Sequence, residues 1–170
     1  MNTIFKVLER VTLQHLEAST LINNPLSPQQ HAFRKGSSCD SALSDMVDNI
    51  EKLILRGEYA LGVFLDISGA FDNLDHNSAQ IGMTDFNFPP AIHKWYTHYL
   101  ENRNVTANIK GCSETRGITK GAPQGGVLSP LIWNLPFNKL LDLYRKGPTK
   151  GTGFAAVSYT HLTLPTNREV

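Results

Sequence analysis

Leu61-Gly-Val-Phe-Leu-Asp66-Ile-Ser-Gly-Ala-Phe71-Asp-Asn-Leu-Asp75 delivers a carboxylate out of an almost wholly apolar run. From Tyr59 to Leu65 every residue is apolar or glycine, which predicts a strand buried on both faces that stops at Asp66. A buried, unpaired carboxylate is costly, so Asp66 should be solvated at the strand end, paired with a base, or neutralised by a metal ion. The alternative is structural: Asp66 or Ser68 caps a helix running through Ala70, Phe71 and Leu74. Strand, acid and helix recur in many α/β proteins, so this stretch alone leaves capping and catalysis balanced.

Outward from it, the 170 residues suit one domain or a piece of a larger one. Apolar residues make up 41% and charged residues 18%, a balance that excludes a solvated disordered chain. The net charge of +1 announces no nucleic-acid partner, so such binding would fall to local clusters. Arg34 with Lys35, then Arg103, Lys110, Arg116 and Lys120, then Arg145, Lys146 and Lys150 are spaced as solvated surface. Cys39 and Cys112 form no metal-ligand or disulfide pattern and fit a reducing, intracellular compartment, nucleus and cytoplasm not being distinguished. No apolar run approaches the roughly 18 residues of a membrane span.

Upstream, Ile4, Val7, Leu8, Val11 and Leu21 mark one apolar face of a helix from Asn2 to the Asn23-Asn24-Pro25 stop. Leu26 to Lys35 reads as a connector ending in His31-Ala-Phe-Arg34-Lys-Gly36. Leu43, Met46, Val47, Ile50, Leu53 and Ile54 then recur at helical spacing, with Asp40 or Ser41 as cap and Gly57 as stop. Downstream, Pro89-Pro90 opens a helix with Ile92, Trp95, Tyr96 and Tyr99 on one side, an aromatic stripe that belongs in a core. Val105 to Ile109, a turn at Gly111, and Glu114 to Thr119 form a hairpin. It leads into Gly121-Ala-Pro-Gln124-Gly125-Gly-Val-Leu-Ser-Pro130, then an apolar helix from about Leu131 to Tyr144 that Pro136 should kink or divide. Glycines let a substrate approach the backbone, Gln124 can donate and accept, and the helix N-terminus favours anions. The loop lacks the Walker ending and the dinucleotide-fingerprint spacing, and by itself it is equally a turn.

Read together, three ordered stretches resemble the reverse transcriptase domain of non-long-terminal-repeat retrotransposons, particularly jockey-like elements. They are His31-Ala-Phe-Arg-Lys-Gly-Ser-Ser38 with the helix after it, Phe64-Leu-Asp-Ile-Ser-Gly-Ala-Phe-Asp72, and Gly121-Ala-Pro-Gln-Gly-Gly-Val-Leu-Ser-Pro-Leu-Ile-Trp-Asn-Leu135. The resemblance implies an α+β fold: an incomplete reverse transcriptase palm, its antiparallel sheet backed by helices, with part of the fingers. It divides the chain into fingers to about residue 58 and palm over about 59–155. It implies an RNA-directed DNA polymerase that uses an RNA template, a DNA primer and a dNTP, with Mg²⁺ or Mn²⁺ as cofactor. Asp66 would be the first metal-binding carboxylate, joined by the backbone carbonyl of Ile67. Phe71 would hold the ring that excludes a ribose 2′-hydroxyl, Gln124 and Gly125 would line the incoming nucleotide, and Arg34 would stand near template or nucleotide. Hard oxygen ligands suit two divalent ions that activate a primer 3′-hydroxyl and stabilise a leaving pyrophosphate.

The family's further carboxylates come from an aromatic-Ala-Asp-Asp hairpin, and here Lys150-Gly-Thr-Gly-Phe-Ala155 is followed by Ala156-Val157 in place of the two acids. Residues 156–170 leave the pattern and read as translated sequencing-adapter DNA, although the Thr160-His-Leu-Thr-Leu164 alternation can form a strand. The resemblance places a further fingers block before Met1, which this chain is expected to lack. The chain is therefore expected to have polymerase ancestry without polymerase activity. A reverse transcriptase of another retroelement lineage and a non-catalytic nucleic-acid-binding remnant are the rival readings; the latter predicts salt-dependent binding without turnover.

Overall fold

The computed structural model describes residues 3–146, 149–154 and 157–164. The element order is α1 (Thr3–Ala18), α2 (Thr20–Asn23), α3 (Cys39–Leu55), β1 (Tyr59–Asp66), α4 (His76–Asp85), α5 (Pro90–Glu101), β2 (Asn104–Ile109), β3 (Cys112–Gly117), α6 (Ser129–Lys146), β4 (Thr149–Phe154) and β5 (Val157–Leu164). Two compact units divide the chain: Met1–Pro25 with Gly69–Pro136, and Leu26–Ser68 with Phe137–Val170. This is the expected α+β class with an antiparallel sheet.

The first unit is built on α1, α4, α5 and the first part of α6. Leu16, Met83, Tyr96, Leu100, Leu128, Ile132 and Leu135 are its most buried large apolar side chains. The aromatic stripe of α5 behaves as core: Tyr96 is buried, and Phe5 of α1 packs on Tyr99 at 4.4 Å and Trp95 at 5.7 Å between ring centroids. The expected face of α1 does not. Ile4, Val7, Leu8 and Val11 are exposed, and the helix turns Glu9, Thr12 and Leu16 inward instead. Phe5, Glu9, Thr12 and Leu16 recur at helical spacing as well, and the aromatic contacts of Phe5 select that stripe.

Asp66 and Ser68 do not cap a helix. Residues 68–73 form turns, closed by the Asn73 amide on the Gly69 carbonyl at 2.8 Å, and the next helix is α4. Its cap is Asp75, whose carboxylate accepts from the Ser78 amide at 2.7 Å. The hairpin of β2 and β3 is present, with positive φ at Lys110 (49°) and Gly111 (84°), as a two-residue turn matched to strand twist requires. α6 runs through Pro136 without a break, and the boundary between the units falls at that residue.

In the second unit, α3 packs along β1 and β4 of a three-stranded antiparallel sheet of order β1-β5-β4. Ser38, not Asp40 or Ser41, is the N-cap, in a reciprocal capping box with Ser41. Every residue of β1 is exposed, contrary to the two-sided burial its composition suggests. As an edge strand in a three-stranded sheet, β1 has a hydrogen-bonded neighbour on one side, and the packing of α3 along it leaves its apolar side chains exposed. Leu43, Val47, Ile54 and Leu55 of α3 are exposed too, while Ala42 and Leu53 are buried.

Candidate functional site

Within the first unit, the glycine-rich loop over residues 121–128 is held at both ends. At its start, the Gly121 amide donates to the Leu74 carbonyl and the Ala122 amide to the Phe71 carbonyl, each at 2.7 Å. Gly121 has φ +94°, and a Cβ there would lie 2.9 Å from the Asp72 carbonyl oxygen, so glycine is needed for both conformation and approach. Its own carbonyl accepts from Arg103 Nη1 at 2.7 Å and lies 3.2 Å from His76 Nε2. Arg103 is therefore a half-buried brace rather than the solvated surface cation its spacing suggested. Lys120 adds a 2.7 Å bond to Asn73 Oδ1.

At its end, the Gly126 amide donates to the Pro123 carbonyl at 3.0 Å, and Ser129 Oγ donates to the same oxygen at 2.8 Å. The Val127 amide donates to Glu9 Oε2 at 2.7 Å. A Cβ at Gly126 would meet Ser129 Oγ at 2.5 Å and Pro123 O at 3.1 Å. Between these anchors Gln124 and Gly125 stand exposed, with Gln124 Nε2 3.5 Å from Asp72 Oδ1. Half-buried Phe71 carries its ring 6.0 Å from that of Trp133. Of the residues assigned from sequence, Gln124 and Gly125 thus lie on a loop whose start is hydrogen-bonded to the Phe71 backbone. Glu9, Arg103 and His76, which contact that loop, were not legible as such, because each sits in a stretch whose pattern says only helix or solvent.

The other assigned residues belong to the second unit. Asp66 ends β1 in an exposed position, and Ile67 follows half-buried. Arg34 Nη1 donates to the Ser27 carbonyl at 2.9 Å, which fixes the connector on itself. In the antiparallel register of β1 and β5, the residue opposite Asp66 is Val157. Ala155 and Ala156, at the expected acidic motif, lie outside the described residues. Among the described residues no three His, Cys, Asp or Glu side chains converge as a metal site. Asp66 with one backbone carbonyl is a poor donor set for a hard divalent cation, so the residues present do not fit the ion that the resemblance implies. No helix among the described residues is long and apolar enough to cross a membrane. A cleft of about 340 Å³ in the first unit, lined by His15, Asn23, Asn24, Phe86 and Asn87 among others, contains none of the assigned residues.

A chain with this palm-like α+β organisation and this loop belongs to the reverse transcriptase (RNA-dependent DNA polymerase) family, which it matches over residues 1–160. Within that family it is similar to the RNA-directed DNA polymerase from mobile element jockey of Drosophila melanogaster, 29% identical over 131 residues, 76% of this chain and 14% of the relative. It is also similar to the Pol polyprotein from the type-1 retrotransposable element R1 of Bradysia coprophila, 29% identical over 141 residues, 83% of this chain and 14% of that one. The chain thus spans about one seventh of these relatives' length. Among solved structures, apo telomerase from Candida tropicalis, truncated from its C-terminal domain, shares the fold, with a TM-score of 0.61 at 11% identity. The match covers 94% of this chain and 34% of that structure.

Proposed function

We propose that this chain is part of a non-long-terminal-repeat retrotransposon polymerase and presents a nucleotide-facing surface without completing the catalytic centre. The observation that carries the reading is the pair of hydrogen bonds tying the loop start to Phe71 and Leu74, because they hold the Phe71 backbone against the start of the loop that carries Gln124 and Gly125. A base and sugar can approach the bare glycine backbone there, Gln124 can donate and accept, and the Phe71 ring can occupy the space a ribose 2′-hydroxyl would need. The reaction of the whole polymerase is template-directed transfer of a nucleotide from a dNTP to a primer 3′-hydroxyl, on an RNA template.

Asp66 is assigned as the first metal-binding carboxylate of that polymerase, with the Ile67 carbonyl beside it and Arg34 on the template or nucleotide side. This chain is inactive in the proposal, because Ala156-Val157 replaces the acids that would share the ion with Asp66. Primer extension tests it, with the purified chain, a primed RNA template, dNTPs, and Mg²⁺ or Mn²⁺. No extension above that of Asp66→Ala is expected; extension that needs Asp66 overturns the assignment of inactivity. Weakened binding of a fluorescent dNTP in Gln124→Ala supports the nucleotide surface, and equal binding by the variant removes it.

A further inference from the structure

Glu9 has no exposed surface, yet it is a carboxylate, on the buried stripe of a helix that it shares with Thr12 and Leu16. Oε2 accepts the Val127 amide at 2.7 Å across 118 positions of sequence, while Oε1 has no hydrogen-bond partner among the described residues and lies 3.3 Å from the point where a Gly126 Cβ would be. A leucine at this position would complete the stripe of Phe5, Thr12 and Leu16 and avoid burying a carboxylate, but it would leave the Val127 amide without its acceptor. An acid here therefore does something a packed hydrophobe cannot. Its place answers what: Val127 precedes α6 by two residues, where backbone N–H groups point away from the helix and favour negative charge.

We infer that Glu9 is a positioning residue for the glycine-rich loop: its buried carboxylate holds Val127 from the α1 side and so sets the exposed Gln124 and Gly125 pair. The loop start is fixed to the segment from Phe71 to Leu74, and Glu9 fixes its end; Gln124 and Gly125 lie between two anchors rather than on a swinging tether. The inference rests on the proposed function only for what the loop presents, not for how it is held.

Burial pushes the Glu9 carboxyl above its ordinary range, against the smaller opposing pulls of the Val127 amide and Lys6 on α1. From α5 it faces Tyr96 and Tyr99, whose hydroxyls are raised by burial and by the Glu9 charge, while Arg103 pulls both down. An acid whose folded value is raised contributes stability below its unfolded value of 4.5, and loses it as pH rises through the folded value. Above its folded value, ionised Glu9 thus costs global stability while making the stronger, charge-assisted bond to Val127.

This opposition makes the test. Glu9→Gln keeps an acceptor and the shape but removes the charge. In the 170-residue chain at pH 7 the variant should unfold at an equal or higher urea concentration than the wild type. Its Val127 amide should nevertheless exchange hydrogen roughly fivefold faster, the step from a charged to a neutral acceptor. A merely structural role would move both readouts together. In the wild type, acidification through the Glu9 titration should loosen Val127 in the same way, after correction for intrinsic exchange, and Glu9→Gln should show no such step. Val127 exchange that is unchanged or slower in the variant, or faster only in proportion to lost global stability, overturns the inference. So does a flat acid titration in the wild type, which can be read even if the variant does not fold. Fluorescent dNTP binding on the same samples separates the two readings: a wild type with a Glu9-dependent loop but no nucleotide binding retains this inference and removes the proposed function.

Discussion

Val157 stands opposite Asp66 in the antiparallel register of β1 and β5. Directly opposed residues of such a pair carry Cβ atoms about 5 Å apart, close enough for two carboxylates to share one cation. Substituting Val157→Asp should therefore raise Mn²⁺ affinity at least several-fold over the wild type. Calorimetric titration checks this, and adding Asp66→Asn to Val157→Asp should remove the gain. Equal affinity with and without Asp66 would show that the introduced acid acts elsewhere.

Gly82 brings α4 close against α6. A Cβ on it would lie 2.7 Å from Leu135 Cβ and 3.5 Å from Pro136 Cδ. Pro136, beside this contact, has no N–H to give, so α6 lacks one helical hydrogen bond there. Gly82→Ala should destabilise the chain by about 1–3 kcal/mol through overpacking, despite alanine's better helix propensity. Urea denaturation reads the change, and a stabilised variant would mean that α4 and α6 separate without cost.

The elements with a local chemical signature were legible in the sequence. Pro90 begins α5, the Lys110-Gly111 turn closes the hairpin, and Gly57 with φ +73° follows α3, because each depends on a backbone preference the residue itself imposes. Burial was less legible, because it depends on what packs against a segment. The apolar runs of β1 and α1 point outward, and Glu9 inside the first unit is invisible to periodicity, since a lone acid beside an apolar stripe reads as solvent-facing. α4 was missed for a related reason: His76-Asn-Ser-Ala-Gln80 has little apolar pattern, and its signal was the cap at Asp75. Phe71, Gln124 and Gly125 were legible only as motif residues; the bonds of Ala122 to Phe71 and of Gly121 to Leu74 are what join them.

The exposed apolar surface of β1 has a consequence in solution. Tyr59, Leu61, Val63, Phe64 and Leu65 are all exposed, and β1 is an edge strand carrying no charge before Asp66. Such an edge templates pairing with another chain. Leu61→Lys should lower self-association several-fold at a given concentration with stability changed by less than about 0.5 kcal/mol, because Leu61 is already 51% exposed. Sedimentation velocity measures the first quantity and urea denaturation the second. Unchanged association would move the sticky surface to the exposed residues of α1 or α3.

Asp75 couples a helix cap to the loop. Its carboxylate accepts from both the amide and the hydroxyl of Ser78, at 2.7 and 2.8 Å, and these bonds hold its carboxyl below the usual value of 3.8. The stability it contributes is thus present above 3.8 and lost as pH falls through the lower folded value. Asp75→Ala should cost about 1 kcal/mol at neutral pH, whereas Asp75→Asn keeps a capping oxygen and should cost less while removing the acid transition. The next residue, His76, lies 3.2 Å from the Gly121 carbonyl, so fraying at the cap reaches the loop start directly. Amide exchange should therefore show Gly121 and Ala122 loosening together with Ser78 in Asp75→Ala. The same coupled loosening should appear in the wild type in acid, and it should be absent from Asp75→Asn. Loosening of Ser78 alone would mean that Arg103, which also donates to that carbonyl, holds the loop start without help from α4.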